Sequence, residues 1–259
     1  MGHSFRAALI TGATSGIGEA FAHALPATTN LLLTGRNREA LGRLATTLGD
    51  GAPGRRVETV SADLTDDEGL DAVCAAAEPF GADLLICDAG FGPFGDFLSA
   101  PEADLRNAVL LNAMAPLVLM RRLLPGMLMR AETEGRRAGL IVVSSGLGFL
   151  PVPRLATYAA TKAFDLSLTE ALAAELSARP VDVLALCPTA TRTRFSERSG
   201  YGRNPPGAQD PAHVASRALA ALGRQRTLVL GAVSGSVLTV PALVRAAAAQ
   251  ALQTVLPRR

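Results

Sequence analysis

The hydrophobic positions of this chain fall into short, nearly unbroken apolar runs, separated by longer stretches in which apolar residues recur every three to four positions. The Val/Leu/Ile-rich runs at 7–11, 31–34, 57–61, 83–87, 140–144, 181–187 and 227–230 predict strands. They are apolar throughout rather than alternating, the pattern of strands covered on both faces. The stretches at 17–26, 37–48, 66–78, 101–130, 155–178 and 211–223 predict helices. Strand and helix alternate along the chain, which implies right-handed crossovers and an α/β fold, a doubly wound parallel sheet of about seven strands with helices on both faces. No repeat, low-complexity linker or composition shift marks a boundary, so one domain is expected across 1–259. Ligands on such a sheet bind beyond the carboxyl ends of the strands, and the loops after strands are where chemistry is sought.

The first strand runs into Thr11-Gly12-Ala13-Thr14-Ser15-Gly16-Ile17-Gly18 and then a helix. Gly12 allows a tight turn, Gly16 lets backbone approach a pyrophosphate, and Gly18 permits close packing of helix on strand. The helix start offers free N–H groups to an anion. Three residues separate the first two glycines, unlike GxGxxG, and the GK[ST] ending of a nucleoside-triphosphate loop is missing. After the second strand, Gly35-Arg36 occupies the place where an NAD-binding fold carries an acidic residue for the adenosine ribose. A guanidinium there matches a 2′-phosphate and favours NADP(H) over NAD(H).

Lys162 is the only lysine among 25 Lys and Arg residues, and one of the two tyrosines, Tyr158, precedes it by four positions. Residues so spaced share a helix face. A phenol titrates about three units above neutral, so using it as a proton carrier requires roughly 4 kcal/mol of differential stabilisation, part of which a fixed ammonium supplies. Ser145 stands 13 residues before Tyr158, at the end of the fifth strand, where its hydroxyl can bond a substrate oxygen gaining charge. In the long helix at 101–130, Pro116 has no N–H for the carbonyl of Asn112 and frees it to hold a water.

With these residues on the page, the sequence resembles the short-chain dehydrogenase/reductase family, in its compact single-domain, NADP(H)-preferring branch. The resemblance extends from Leu9 to about Leu230. It implies a Rossmann-like fold and hydride transfer between NADP(H) and a carbonyl or alcohol carbon. Catalysis falls to Asn112, Ser145, Tyr158 and Lys162, with Tyr158 as general acid/base. It further implies cofactor binding by Gly12, Thr14, Ser15, Gly16, Ile17 and Gly18, by Arg36, Asp63 and Leu64, and by Ala89 and Gly90. Tyr158 and Lys162 also face the cofactor, and Pro188, Thr191 and Thr193 hold the nicotinamide carboxamide. Two departures stand out: Cys87-Asp88-Ala89-Gly90 replaces the family's Asn-Asn-Ala-Gly, and Thr189 replaces the glycine after Pro188. The first puts the bracing of the central strands in doubt.

The remaining features narrow the partners. A net charge of +2 with scattered arginines gives no basis for nucleic-acid binding. No uninterrupted apolar run reaches the span of a bilayer, and no transmembrane segment is expected. Three widely spaced cysteines and a start lacking the regions of a signal peptide fit a cytoplasmic protein. The histidines have no metal-like spacing, so no metal is expected. Phe91-Gly92-Pro93-Phe94, the segment 146–154 and a lid at 189–210 are expected to wall a small-molecule substrate site. The apolar stretch 231–259 is expected to close that site or join a subunit contact, and the resemblance implies a homodimer or homotetramer built on the helices at 101–130 and 155–178. A non-catalytic NADP(H)-binding regulator on the same fold is the alternative, although such proteins tend to lose the Tyr or Lys retained here.

Overall fold

The computed structural model describes residues 5–231 except 201, 203, 205 and 206. Seven strands form one parallel sheet: β1 (Ala7–Thr11), β2 (Asn30–Gly35), β3 (Val57–Ser61), β4 (Leu84–Cys87), β5 (Ala138–Val143), β6 (Val181–Pro188) and β7 (Thr227–Leu230). Their spatial order is β3-β2-β1-β4-β5-β6-β7. The direction of winding therefore reverses between β1 and β4, and a crevice opens there at the carboxyl ends of the strands.

Successive residues of each strand feed opposite layers, as the two-residue period of a strand requires. Leu9, Leu32, Leu85, Leu140 and Val183 pack against α3 (Asp67–Phe80) and α5 (Ala115–Glu134). Ile10, Leu31, Leu33, Ile86 and Leu184 pack on the other face against α1 (Gly16–Ala24), α2 (Arg38–Asp50) and α8 (Pro211–Ala221). Between them lie α4 (Glu102–Val109), α6 (Ala156–Glu175) and the short α7 (Phe195–Arg198). Side-chain caps set several starts: Asn37 accepts from the Ala40 amide at 2.9 Å and Asp66 from that of Gly69 at 2.7 Å.

Several expectations are corrected. β3 is a sheet edge whose Glu58, Thr59 and Ser61 are exposed, so it is not covered on both faces. Asp83 precedes β4 rather than belonging to it; its carboxylate accepts from the Arg6 and Ala7 amides and from Arg136. The helix expected at 101–130 is three pieces, α4, a π turn at Leu110–Met114, and α5. The continuous run Glu102–Glu134 is, by length and composition, apolar enough to cross a membrane, contrary to the reading of the sequence. Its residues Leu119, Met120, Leu123, Met127 and Leu128 are committed to the core beneath the sheet, which accounts for the apolar character without a bilayer. The stretch from 232 to 259 lies outside the described residues.

Candidate active site

Between β1 and α1 the chain turns at Gly12 and Gly16 with φ of +69° and +66°, a region that L side chains avoid. A Cβ on Gly12 would stand 2.9 Å from the backbone of Ala89, one on Gly16 2.8 Å from the Thr193 side chain, and one on Gly18 2.6 Å from the Gly12 carbonyl. The loop is thus clasped between the segments that follow β4 and β6. Ser15 sits at the N-cap of α1 without making a side-chain capping bond. A cradle that no Cβ could enter, leading into a helix N-terminus without a side-chain cap, suits a pyrophosphate. The residues fit a dinucleotide. An open groove of about 1120 Å³ runs beside the loop, lined among others by Thr14, Ser15, Gly16, Thr193 and Arg194.

At the adenosine end, Gly35 leaves room for the Thr14 side chain, whose methyl carbon would lie 3.3 Å from an added Cβ. Arg36 is exposed and Asp63 half-buried, and they stand 3.8 Å apart, while Asp63 also accepts from the Thr65 amide at 3.0 Å. Leu64 is buried beside it. Arg194 reaches across from the segment after β6 and donates to the Thr14 carbonyl at 3.1 Å. Burial holds the Arg198 guanidinium below its usual range, and the charges of Arg194 and Arg36 add to that effect. Three arginines therefore converge at this end, where the sequence singled out Arg36 alone as a cofactor contact.

The other candidates meet at the crevice. Ser145 follows β5 and caps a 3₁₀ turn (Gly146–Phe149), its hydroxyl accepting from the Leu147 amide at 3.1 Å. Tyr158 and Lys162 project from α6. The Tyr158 ring is tilted against Phe195 with centroids 4.9 Å apart, and Gly92 leaves it room: a Cβ there would lie 2.6 Å from the ring. Asn112, fully buried in the π turn, joins two elements: its Oδ1 accepts from the Phe91 amide at 2.8 Å, and its Nδ2 donates to the Phe91 carbonyl and to Thr161 Oγ1. Gly90 lies next to both, at 3.6 Å from Asn112 Oδ1 and 3.9 Å from Lys162 Nζ if given a Cβ. Pro188 ends β6, and Thr191 donates to the Thr189 carbonyl at 3.0 Å.

The family model for short chain dehydrogenases matches residues 6–203. The chain belongs to this family. Dehydrogenase/reductase SDR family member 7B of Xenopus laevis is 30% identical over 256 residues, covering 92% of this chain and 76% of that protein. Among solved structures, a short-chain dehydrogenase from Sphingobium yanoikuyae in complex with NADPH is 30% identical with a TM-score of 0.79, covering 97% of this chain and 96% of that one. A 3-ketoacyl-(acyl-carrier-protein) reductase from Brucella melitensis, complexed with NADH, is 28% identical with a TM-score of 0.74, covering 87% and 96%. Nicotinamide cofactors are thus common to the neighbours, with both phosphorylated and unphosphorylated forms represented.

Within this short-chain dehydrogenase the Cys87-Asp88 departure is accommodated. Thr11 Oγ1 accepts from the Asp88 and Ala89 amides, each at 3.0 Å, and braces β1 against the loop after β4 without a side-chain amide. Burial pushes the Asp88 carboxyl up to about 7, opposed by Lys162 and by the Gly18 amide bonded to it. Burial also raises the Tyr158 phenol, opposed by Lys162 and Ser145 and reinforced by Asp165 and Asp88. The Lys162 ammonium donates to the Val143 carbonyl at 2.8 Å and to Asp165 Oδ2 at 2.9 Å. Burial works against that charge, but Asp165, Tyr158 and Asp88 together hold Lys162 above its usual range. Ser144 Oγ donates to the Lys162 carbonyl at 2.7 Å and ties β5 to α6. The sequence reading missed Asp165 and Ser144. Each was detectable only as a polar residue in an otherwise apolar context, Asp165 three positions after the lysine and Ser144 at the end of a strand.

Proposed function

We propose that this short-chain dehydrogenase/reductase transfers a hydride between NADP(H) and a carbonyl or secondary alcohol, with Tyr158 as general acid/base. The observation that carries the reading is the convergence of Tyr158, Ser145, Asn112 and the chain's only lysine at the carboxyl end of the sheet, beside the glycine cradle. The nicotinamide, when bound, supplies or accepts the hydride. Ser145 and Tyr158 hold the carbonyl oxygen, and Tyr158 Oη gives it a proton as charge develops there. Lys162 steadies the phenolate left behind and would hold the nicotinamide ribose. A water on the Asn112 carbonyl would return the proton. Arg36, with Arg194 and Arg198 gathered near it, supports the phosphorylated cofactor, since charge-assisted bonds to a 2′-phosphate would relieve their mutual repulsion.

Phe91, Phe94 and Phe195 frame the mouth of the site and favour a substrate with apolar groups flanking the carbonyl. The segment 189–210 acts as its lid: the Phe94 amide already donates to the Ser199 carbonyl at 2.9 Å. Cys74, Cys87 and Cys187, none of them in a disulfide, fit a reducing, cytoplasmic setting.

The test is NADPH oxidation with ketones, aldehydes, acyl thioesters and steroids. Tyr158→Phe is expected to lose at least about a hundredfold in turnover while keeping cofactor affinity, and Lys162→Arg to be severely impaired despite its charge. Arg36→Ala is expected to lower kcat/KM for NADPH by about 10–100-fold and leave NADH almost unchanged. Wild-type turnover in Tyr158→Phe would overturn the mechanism, and an indifferent Arg36→Ala the cofactor preference. Cofactor binding with no turnover of any carbonyl compound would point to the regulatory alternative.

A further inference from the structure

One turn beyond Lys162, α6 carries a carboxylate for which cofactor binding and hydride transfer have no evident use. Asp165 is 1% exposed and accepts from Lys162 through Oδ2 at 2.9 Å. Its Oδ1 is buried and has no hydrogen-bond partner among the described residues. Leaving a charged acceptor in that condition is costly, so a donor is expected nearby.

Beside it lies a cavity of about 10 Å³ lined in part by Leu111, Asn112, Pro116, Lys162 and Asp165. That is space for about one water. Two main-chain acceptors belong to the same wall. The Ala115 amide bonds back to Leu110, five residues away, so the helical ladder has slipped into π register. Pro116 then has no N–H for Asn112, four residues back, or for Leu111, five back. A water there has the partners it needs: a buried carboxylate oxygen, main-chain carbonyls to which Pro116 offers no N–H, and the Lys162 ammonium.

We propose that Asp165 is a positioning residue: its carboxylate pins the Lys162 ammonium, completes a one-water site with Asn112, and offsets the lysine's charge, so that the site is set to give a proton from Tyr158 rather than to take one. The inference rests on the oxidoreductase reading above and adds a direction to it, carbonyl reduction at neutral pH. In that direction a C–H and an O–H bond form at the carbonyl. The hydride comes from the reduced nicotinamide and the proton from Tyr158, which regains one from solvent through the water.

The charges around the phenol account for the bias. α6 supplies Lys162 and Asp165, the loop after β4 supplies Asp88, and Ser145 approaches from the end of β5. Lys162 alone would favour the phenolate; Asp165 at hydrogen-bond distance from Lys162 takes back part of that effect. Burial acts in the same sense as Asp165, and Tyr158 stays above its ordinary range.

With only two tyrosines and no tryptophan in the chain, Tyr158 can be titrated directly by tyrosinate absorbance in the purified full-length protein, using Tyr158→Phe as the blank for Tyr201. Asp165→Asn keeps the size of the side chain and removes the charge. Its Tyr158 midpoint is expected at lower pH than in the wild type, with Asp165→Glu returning toward it. In the Asn variant the pH profile of kcat for alcohol oxidation, which needs the phenolate, is expected to move to lower pH by about one unit, a roughly tenfold rise at a fixed pH below the midpoint. If Asp165→Asn does not fold, Asp165→Ser, which leaves room for a second water, carries the same expectation. A midpoint unchanged or higher in the neutral variants overturns the proposal. A lowered midpoint in a chain that turns over no carbonyl compound sinks the oxidoreductase reading and leaves the positioning role standing.

Discussion

Asp88 shows how one residue's chemistry reaches the stability of the whole chain. Its carboxyl is pushed up to about 7 by burial, against a value of 3.8 for a free carboxyl. Because the folded pKa lies above the unfolded one, the native state keeps the proton longer. The associated stability is full below about 4 and is lost as pH rises through about 7. Asp88→Asn preserves an acceptor for the Gly18 amide and removes the titration. Its Tm is expected to exceed that of the wild type by a margin that widens from pH 4 to 7, reaches several degrees, and is flat above. Circular dichroism melts across that range measure it, and a margin independent of pH would refute the assignment. At this scale Tyr158, Lys162 and Ser145 were legible because the chain uses Lys and Tyr so sparingly and because their spacing is local. Asp88 was visible only as a departure, and its shifted proton comes from burial beneath segments brought to it from distant parts of the chain, with Lys162 and Gly18 opposing the shift.

Among the elements, six of the seven strands were legible as apolar runs, because a sheet covered by helices leaves a strong local imprint. What escaped is what local pattern does not encode. β3 reads as an ordinary strand, and only its place at the sheet edge exposes Glu58 and Thr59. The π turn looks like continuous helix in sequence, although Pro116 marked the place where the ladder fails. The loop after β4 carries a further constraint. Its Gly92 lies so close to the Tyr158 ring that Gly92→Ala must displace one or the other. The ring cannot retreat toward Phe195, whose centroid is already 4.9 Å away. Gly92→Ala is therefore expected to lower kcat about tenfold or more with NADPH affinity much less affected, because the glycine cradle meets this loop at Ala89, three residues before Gly92. Stopped-flow turnover and cofactor titration separate the two effects. An alanine variant with wild-type kcat would show that the loop yields and the ring's position is not under this control.

For the whole molecule, the doubly wound parallel sheet and its two-sided core followed from the alternation of elements, but association between chains leaves a weaker imprint. Phe97, Leu98, Val109, Met114, Met129 and Phe164 are exposed large hydrophobics among the described residues, and all lie on α4, α5 and α6 or on the turn and loop adjoining them. α4 also packs beside α6. A chain that gathers such residues on neighbouring helices is expected to bury them against a partner. The helices concerned are those that the family resemblance marked for subunit contact, and the symmetric solution is a homodimer in which the same face meets itself. Light scattering of the purified chain is expected to give a mass at least twice the 26.7 kDa of one chain. The double variant Val109→Glu with Phe164→Glu, which places charge on two half-exposed positions of this face, is expected to scatter as a monomer with its circular dichroism intact. A wild-type chain that is monomeric at micromolar concentration, or a double variant that still associates, would remove this face as the interface.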